Sequence, residues 1–219
     1  MKIHITVFSY QRKEMLEDLI EEIKTLQKSF DLDYDIFDDG SDFSIDDCKF
    51  HQYKHGGKRL FWKMFDRAFK SLESTDYDIY VFTQSDMNKL DLQRIVDLHS
   101  KYKDKEYCYS LHRDDRMNCW NNRRAVSIDD ESYQSWFTDC AFFTNKKTLN
   151  QLDHTIYEVN PLRFIANPTI SSGVGQQLTQ RLNIMKIPMF LPKKSLTIHI
   201  GHESLMHPEE RKRNPLKSK

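Results

Sequence analysis

At the start of the chain, Ile3, Ile5 and Val7 alternate with Lys2, His4 and Thr6, the period of a strand with two different faces, and the pattern stops at Phe8 and Ser9. The period then lengthens: Leu16, Leu19, Ile20, Ile23, Leu26 and Phe30 recur at helical spacing among Glu and Lys, which predicts an amphipathic helix over 15–30. A second strand fits 34–37 and ends at the turn signal Asp38-Asp39-Gly40-Ser41. After an irregular acidic stretch comes His55-Gly56-Gly57-Lys58, then a stripe of Phe61, Met64, Phe65, Ala68, Phe69 and Leu72 that reads as the core-facing side of a helix. Residues 78–83 are apolar almost throughout, as expected at the centre of a sheet covered on both faces, and they lead directly into Gln84-Ser85-Asp86.

Beyond this point the pattern predicts a helix over 92–102, a strand over 107–111, a polar loop over 112–132 and a strand over 141–144. Helices over 147–152 and 176–182 and a strand over 189–191 follow. Strands that alternate with helices in this way predict an α/β domain with a mostly parallel central sheet and helices on both faces. Ligands on such sheets sit beyond the C-terminal strand ends, where Ser9, Asp39 and Asp86 all fall.

Composition narrows the choice. With 219 residues and 38% hydrophobic content the chain builds one core, so residues 1–205 are expected to form a single domain and 206–219 a basic tail. Lys plus Arg, 33, equals Asp plus Glu, 33, so no overall field draws the protein to nucleic acid or acidic membranes; such a partner would need a local patch. The N-terminus lacks a signal-peptide pattern and no run approaches the roughly 18 apolar residues of a membrane span, so a cytoplasmic protein without stable membrane insertion is expected, in the host cytoplasm if viral. Cys48, Cys108, Cys119 and Cys140 are widely spaced and read as free thiols in a reducing compartment.

The glycines act as a filter. There are six, and none precedes Gly40. A dinucleotide fold needs Gly-rich backbone after its first strand so that a pyrophosphate can approach the helix N-terminus, but that turn here is Ser9-Tyr10-Gln11-Arg12. No P-loop is present either. What remains is a nucleotide-binding fold that handles a diphosphate with a metal. An aspartate directly after a central strand suits that task, because a hard divalent cation takes few protein ligands and leaves room for phosphate oxygens. Asp86 is that residue, with Ser85 beside it.

Four segments together resemble the A-type glycosyltransferases, family 2-like members in particular. Phe8-Ser9-Tyr10-Gln11-Arg12 resembles the first strand-to-helix turn that lines the nucleoside pocket. Asp38-Asp39-Gly40-Ser41 is similar to a second-strand motif in which an Asp contacts base or ribose. Gln84-Ser85-Asp86 looks like an Asp-x-Asp metal motif that keeps only its last acid, and His199-Ile200-Gly201-His202 resembles a late segment whose histidine completes the metal shell.

The resemblance implies Mn2+ or Mg2+ held by Asp86 with His199 or His202. It also implies a nucleotide-sugar donor, UDP-type, contacted by Ser9, Tyr10, Arg12, Asp39 and Ser85; Lys58, just before a helix, is placed either to meet diphosphate oxygens or to stand as a solvated residue beside the Gly-Gly turn. The acceptor is a glycan hydroxyl by family default; a hydroxymethylated DNA base is the other choice, suggested by Arg123, Arg124 and the basic tail. The family's late Glu-Asp pair is missing, since the comparable region reads Ser171-Ser172-Gly173-Val174-Gly175-Gln176-Gln177, so Asp139 is the candidate base. That gap also leaves open a degenerate module that holds nucleotide sugar or nucleic acid without turnover.

Overall fold

The computed structural model describes residues 1–46, 48–113, 125–166 and 170–200. Its first half alternates β1 (Lys2–Ser9), α1 (Lys13–Leu26), β2 (Asp31–Asp38), β3 (Lys49–Gln52), α2 (Gly57–Ser71), β4 (Ile79–Gln84), β5 (Met87–Asn88) and α3 (Leu92–Tyr102). The second half runs β6 (Cys108–Ser110), β7 (Val126–Ser127), β8 (Ser132–Ser135), β9 (Phe142–Thr144), α4 (Lys146–Gln151), α5 (Leu162–Ala166), α6 (Val174–Ile184), β10 (Met189–Pro192) and β11 (Ile198–His199).

Among the described residues nine strands form one sheet in the order β3-β2-β1-β4-β9-β6-β10-β8-β7, and β5 and β11 pair separately. The expected parallel arrangement holds from β3 to β4. From β4 onward the sheet is mixed, because β9 inserts antiparallel between β4 and β6, and β10 runs parallel to β6 but antiparallel to β8. The N-terminal end of β9 and the C-terminal ends of β6 and β10 therefore join the C-terminal ends of β1, β2 and β4 on one rim.

The alternation within the strands divides the core in two. Ile3, Ile5, Val7, Ile79 and Val81 face one side and pack with Leu16, Leu19, Ile20 and Ile23 of α1 and Ile95 and Leu98 of α3. Phe8, Tyr80 and Phe82 face the other side, against Phe61, Met64, Phe65 and Phe69 of α2 and Val174, Leu178 and Leu182 of α6. At about 1.5–3 kcal/mol per buried side chain of this size, the stripe of either helix outweighs its intrinsic propensity. Trp62, off the α2 stripe, is half-buried against the edge of the second cluster.

The first helix and two of the strands show why some elements differ from expectation. The first helix stops at Leu26, because 27–30 form the turn that starts β2 at Asp31, with Gln27 Nε2 donating to Leu32 O at 2.9 Å. The stretch read as irregular contains β3, an edge strand whose His51 ring stacks on Phe37 at 4.6 Å in place of an aliphatic contact. The segment after the polar loop contains β8, Ser-Tyr-Gln-Ser, held by its ladder to β10 and by Tyr109 Oη, 2.8 Å from Ser132 Oγ. Such a strand has no apolar alternation to read.

Candidate functional site

The rim is built outward from the parallel strands. Asp39 N donates to Ser9 O at 2.9 Å and Ser85 N to Phe8 O at 2.9 Å, so β1, β2 and β4 leave the sheet tied together. Ser9, Asp39, Ser85 and Asp86 are all buried there.

The β2 exit is closed by its own acids. Asp38, with no exposed surface, accepts from Gly40 N at 3.0 Å and Ser41 N at 2.7 Å on Oδ1, and from Ser41 Oγ at 2.6 Å on Oδ2. Ser41 Oγ in turn accepts from Gln11 N at 2.7 Å, which fixes the turn after β1. That support matters, because Gln11 has a φ of 49°, a left-handed backbone disfavoured for a residue with a Cβ. Asp39 accepts from Gly56 N and Gly57 N, each at 2.8 Å, and so clasps the start of α2, with His55 Nδ1 3.0 Å from its Oδ2. Gly40, at φ 84°, lies where a Cβ would meet His55 N at 2.5 Å, so the turn and the α2 clasp require glycine there. Lys58 is half-buried in the first turn of α2, beside this clasp. Tyr10 stacks on His55 with ring centroids 4.2 Å apart and planes at 13°.

The β4 exit is different. Asp86 is buried, and its Oδ2 receives both the Arg12 guanidinium, through Nη1, and His199 Nε2 at 3.2 Å. His199 reaches this place because β11 pairs with β5 immediately after Asp86, and Ile200 N donates to Asp86 O at 2.8 Å. Burial alone would raise the Asp86 pKa; the His199 and Arg12 contacts outweigh it and bring the carboxyl down to about 2. Asp86 Oδ1 is buried with no hydrogen-bond partner, and so is Ser9 Oγ. Unsatisfied buried acceptors are costly and rare, and a carboxylate oxygen is the most costly kind.

A carboxylate oxygen with open lone pairs next to an imidazole is a donor set that Mn2+ or Mg2+ accepts, so these residues fit a divalent cation. Among the described residues no group of three or more His, Cys, Asp or Glu side chains is arranged to hold a metal, and Asp86 and His199 are the pair that meets at the β4 exit. His202, Arg123, Arg124 and the basic tail lie outside the described residues.

Asp139 is exposed at the start of the segment leading into β9, and its Oδ1 accepts from Cys140 N at 2.7 Å. It also lies against the first turn of α6, where a Cβ on Gly175 would stand 3.4 Å from Asp139 Oδ1. The antiparallel course of β9 brings it to the rim; none of the observed contacts joins it to Asp86. The sequence reading assigned no part to Asp38, Ser41, His55 or His112. The Asp-Asp-Gly-Ser motif contained the signal for the first two but does not say which acid is buried. His112, which follows β6 and whose ring lies 6.1 Å from that of His199, has no sequence signal.

A mixed sheet of this order with helices on both faces is a glycosyltransferase-like α/β fold. The solved structures that share it include S. aureus TarS residues 1–349, with a TM-score of 0.58 and 15% identity over 90% of this chain and 60% of that one. They also include S. aureus TarS in a longer form, with a TM-score of 0.55 and 13% identity over 92% of this chain and 37% of that one. At this identity the likeness establishes the fold, and the chain spans about three-fifths of the shorter of these two structures. No protein-family model matches the sequence, and no curated protein matches it. Among the described residues no helix is long and apolar enough to cross a membrane.

Proposed function

We propose that this chain transfers a sugar from a UDP-type nucleotide sugar to an acceptor hydroxyl, with Mn2+ or Mg2+ held by Asp86 and His199. One observation carries the reading: Asp86, at the exit of the central strand, combines a depressed pKa, a neighbouring imidazole and a buried, unpartnered Oδ1. The fold shared with TarS supports the donor class, and a glycan is the acceptor that fits it best.

When bound, the cation supplies positive charge against that building on the departing nucleoside diphosphate. The chain's own residues do the rest. Ser9 Oγ is a hydroxyl with no internal partner, available to a donor oxygen. The Tyr10–His55 stack gives a flat surface of the kind a base packs on, and Asp39 holds that stack through His55. Ser85 ties β4 to β1 behind the site, and Lys58 adds charge at the positive end of α2. Asp139, exposed on the rim, takes the proton of the acceptor hydroxyl.

The test is a thermal-shift and hydrolysis screen of UDP-sugars with and without Mn2+, on wild type, Asp86→Ala and Asp139→Asn. A donor-dependent shift that needs Mn2+ and vanishes in Asp86→Ala is expected. Asp139→Asn is expected to keep that shift and lose roughly 10²–10⁴-fold in transfer. A shift that persists unchanged in Asp86→Ala rejects the assignment. Donor binding without any turnover would instead establish a non-catalytic binding module, and nucleotide-independent DNA binding that falls steeply with salt would move the function to nucleic acid.

A further inference from the structure

The Arg12–Asp86 pair raises a charge problem that the sugar-transfer reading does not address. Both side chains are withdrawn from solvent, 12% and 7% exposed, and the guanidinium already neutralises the Asp86 carboxylate. A divalent cation arriving alone would give this buried site a net charge near +2, with His199 already against Asp86 Oδ2 at 3.2 Å. A cation arriving with a diphosphate restores balance, provided that Arg12 turns from Asp86 to the phosphate oxygens, for which its planar fork is well suited.

The backbone permits that turn. The strand-to-helix connection is pinned by Asp38 through Ser41 Oγ and Gln11 N, so the backbone at the start of α1 is a fixed origin about which the Arg12 side chain rotates. Asp86 Oδ1, buried and without a partner, is the oxygen that Arg12 leaves open throughout.

We propose that Arg12 is an exchangeable counter-ion. It occupies Asp86 in the free protein and transfers to the donor diphosphate when cation and nucleotide bind together, so that the site takes the pair and discriminates against the bare metal. The proposal rests on the assignment of a cation to Asp86 given above, and it concerns regulation of that site. Coupling of this kind is reciprocal: UDP tightens the cation by the same factor as the cation tightens UDP.

The experiment measures Mn2+ binding to the full chain by the electron paramagnetic resonance of free Mn2+, with and without UDP, for wild type, Arg12→Gln, Arg12→Lys and Asp86→Asn. Wild type is expected to bind Mn2+ weakly alone and at least tenfold more tightly with UDP. Arg12→Gln is expected to bind Mn2+ alone about tenfold more tightly than wild type, and to lose most of the UDP enhancement. Arg12→Lys, which keeps the charge, should stay near wild type. Circular dichroism reports whether each variant folds, and if Arg12→Gln does not, the wild-type coupling and its reciprocity decide the question alone.

Asp86-dependent Mn2+ binding that is as tight without UDP as with it, or that is unchanged or weakened in a folded Arg12→Gln, overturns the counter-ion proposal and leaves the metal assignment standing. Absence of Asp86-dependent Mn2+ binding in every variant, with or without UDP, overturns both.

Discussion

Two neighbouring exits on the same rim use buried aspartates in opposite ways. At β2, Asp38 and Asp39 have every carboxylate oxygen engaged, chiefly by backbone amides, and their work is to shape the turn and clasp α2. At β4, Asp86 has a guanidinium and an imidazole crowded on one oxygen and nothing on the other. A buried acid whose acceptors are all filled is scaffold, whereas one that keeps a lone pair desolvated and unused bears a cost that a ligand can relieve. The resemblance to the glycosyltransferase motif pointed to Asp39 as a nucleotide contact. The geometry shows its carboxylate already committed to Gly56 and Gly57 amides, so any contact it makes with a donor adds to that load.

The contrast can be broken by removing one acid at a time. Asp38→Ala is expected to have the largest effect on stability, about 4 kcal/mol, because it strands two amides and a hydroxyl in a fully buried place; urea unfolding measures it, and a loss below about 1 kcal/mol would show that the turn does not depend on Asp38. Asp86→Asn should cost less, about 2 kcal/mol at neutral pH, following the fall of its pKa from 3.8 to about 2. A depressed carboxylate pKa stabilises above its unfolded value, and that contribution disappears as pH falls through the folded one. An Asp86→Asn protein as unstable as Asp38→Ala would erase the distinction between the two exits.

A third acid sharpens the comparison away from the rim. Asp35, in the middle of β2, is buried, which by itself raises its pKa. Its neighbours outweigh that and lower it: His4 Nε2 at 3.9 Å first, then Lys49 Nζ at 3.9 Å and His51 Nε2 at 3.5 Å. Its stabilisation is therefore present above the unfolded value near 4 and is lost as pH falls below it. Asp35→Asn is expected to flatten the acid limb of a stability–pH profile without changing any Mn2+-dependent shift; an unaltered limb would contradict the assignment. The smallest effect belongs to Ser9→Ala. Removing a buried hydroxyl with no partner should leave stability within about 0.5 kcal/mol or raise it slightly, while UDP binding weakens several-fold. Lost stability with unchanged UDP binding would make Ser9 a packing residue.

Most of the framework is legible in the residue pattern. Period-2 and helical patterns are written locally, so β1, α1, α2, β4 and α3 could be read directly, as could the arrival of Ser9, Asp39 and Asp86 at one sheet edge. Strands β3 and β8 could not, because their stability comes from ladders to distant strands and from contacts such as His51 on Phe37. Which acid is filled and which keeps an open oxygen depends on segments that meet through folding. The unfilled Oδ1 of Asp86, the Arg12 guanidinium against it, and His199 brought in by β11 arise from residues 74 and 113 positions away in sequence from Asp86. Hydrogen-bond saturation is a property of what surrounds an atom in space, and no local pattern along the chain encodes it.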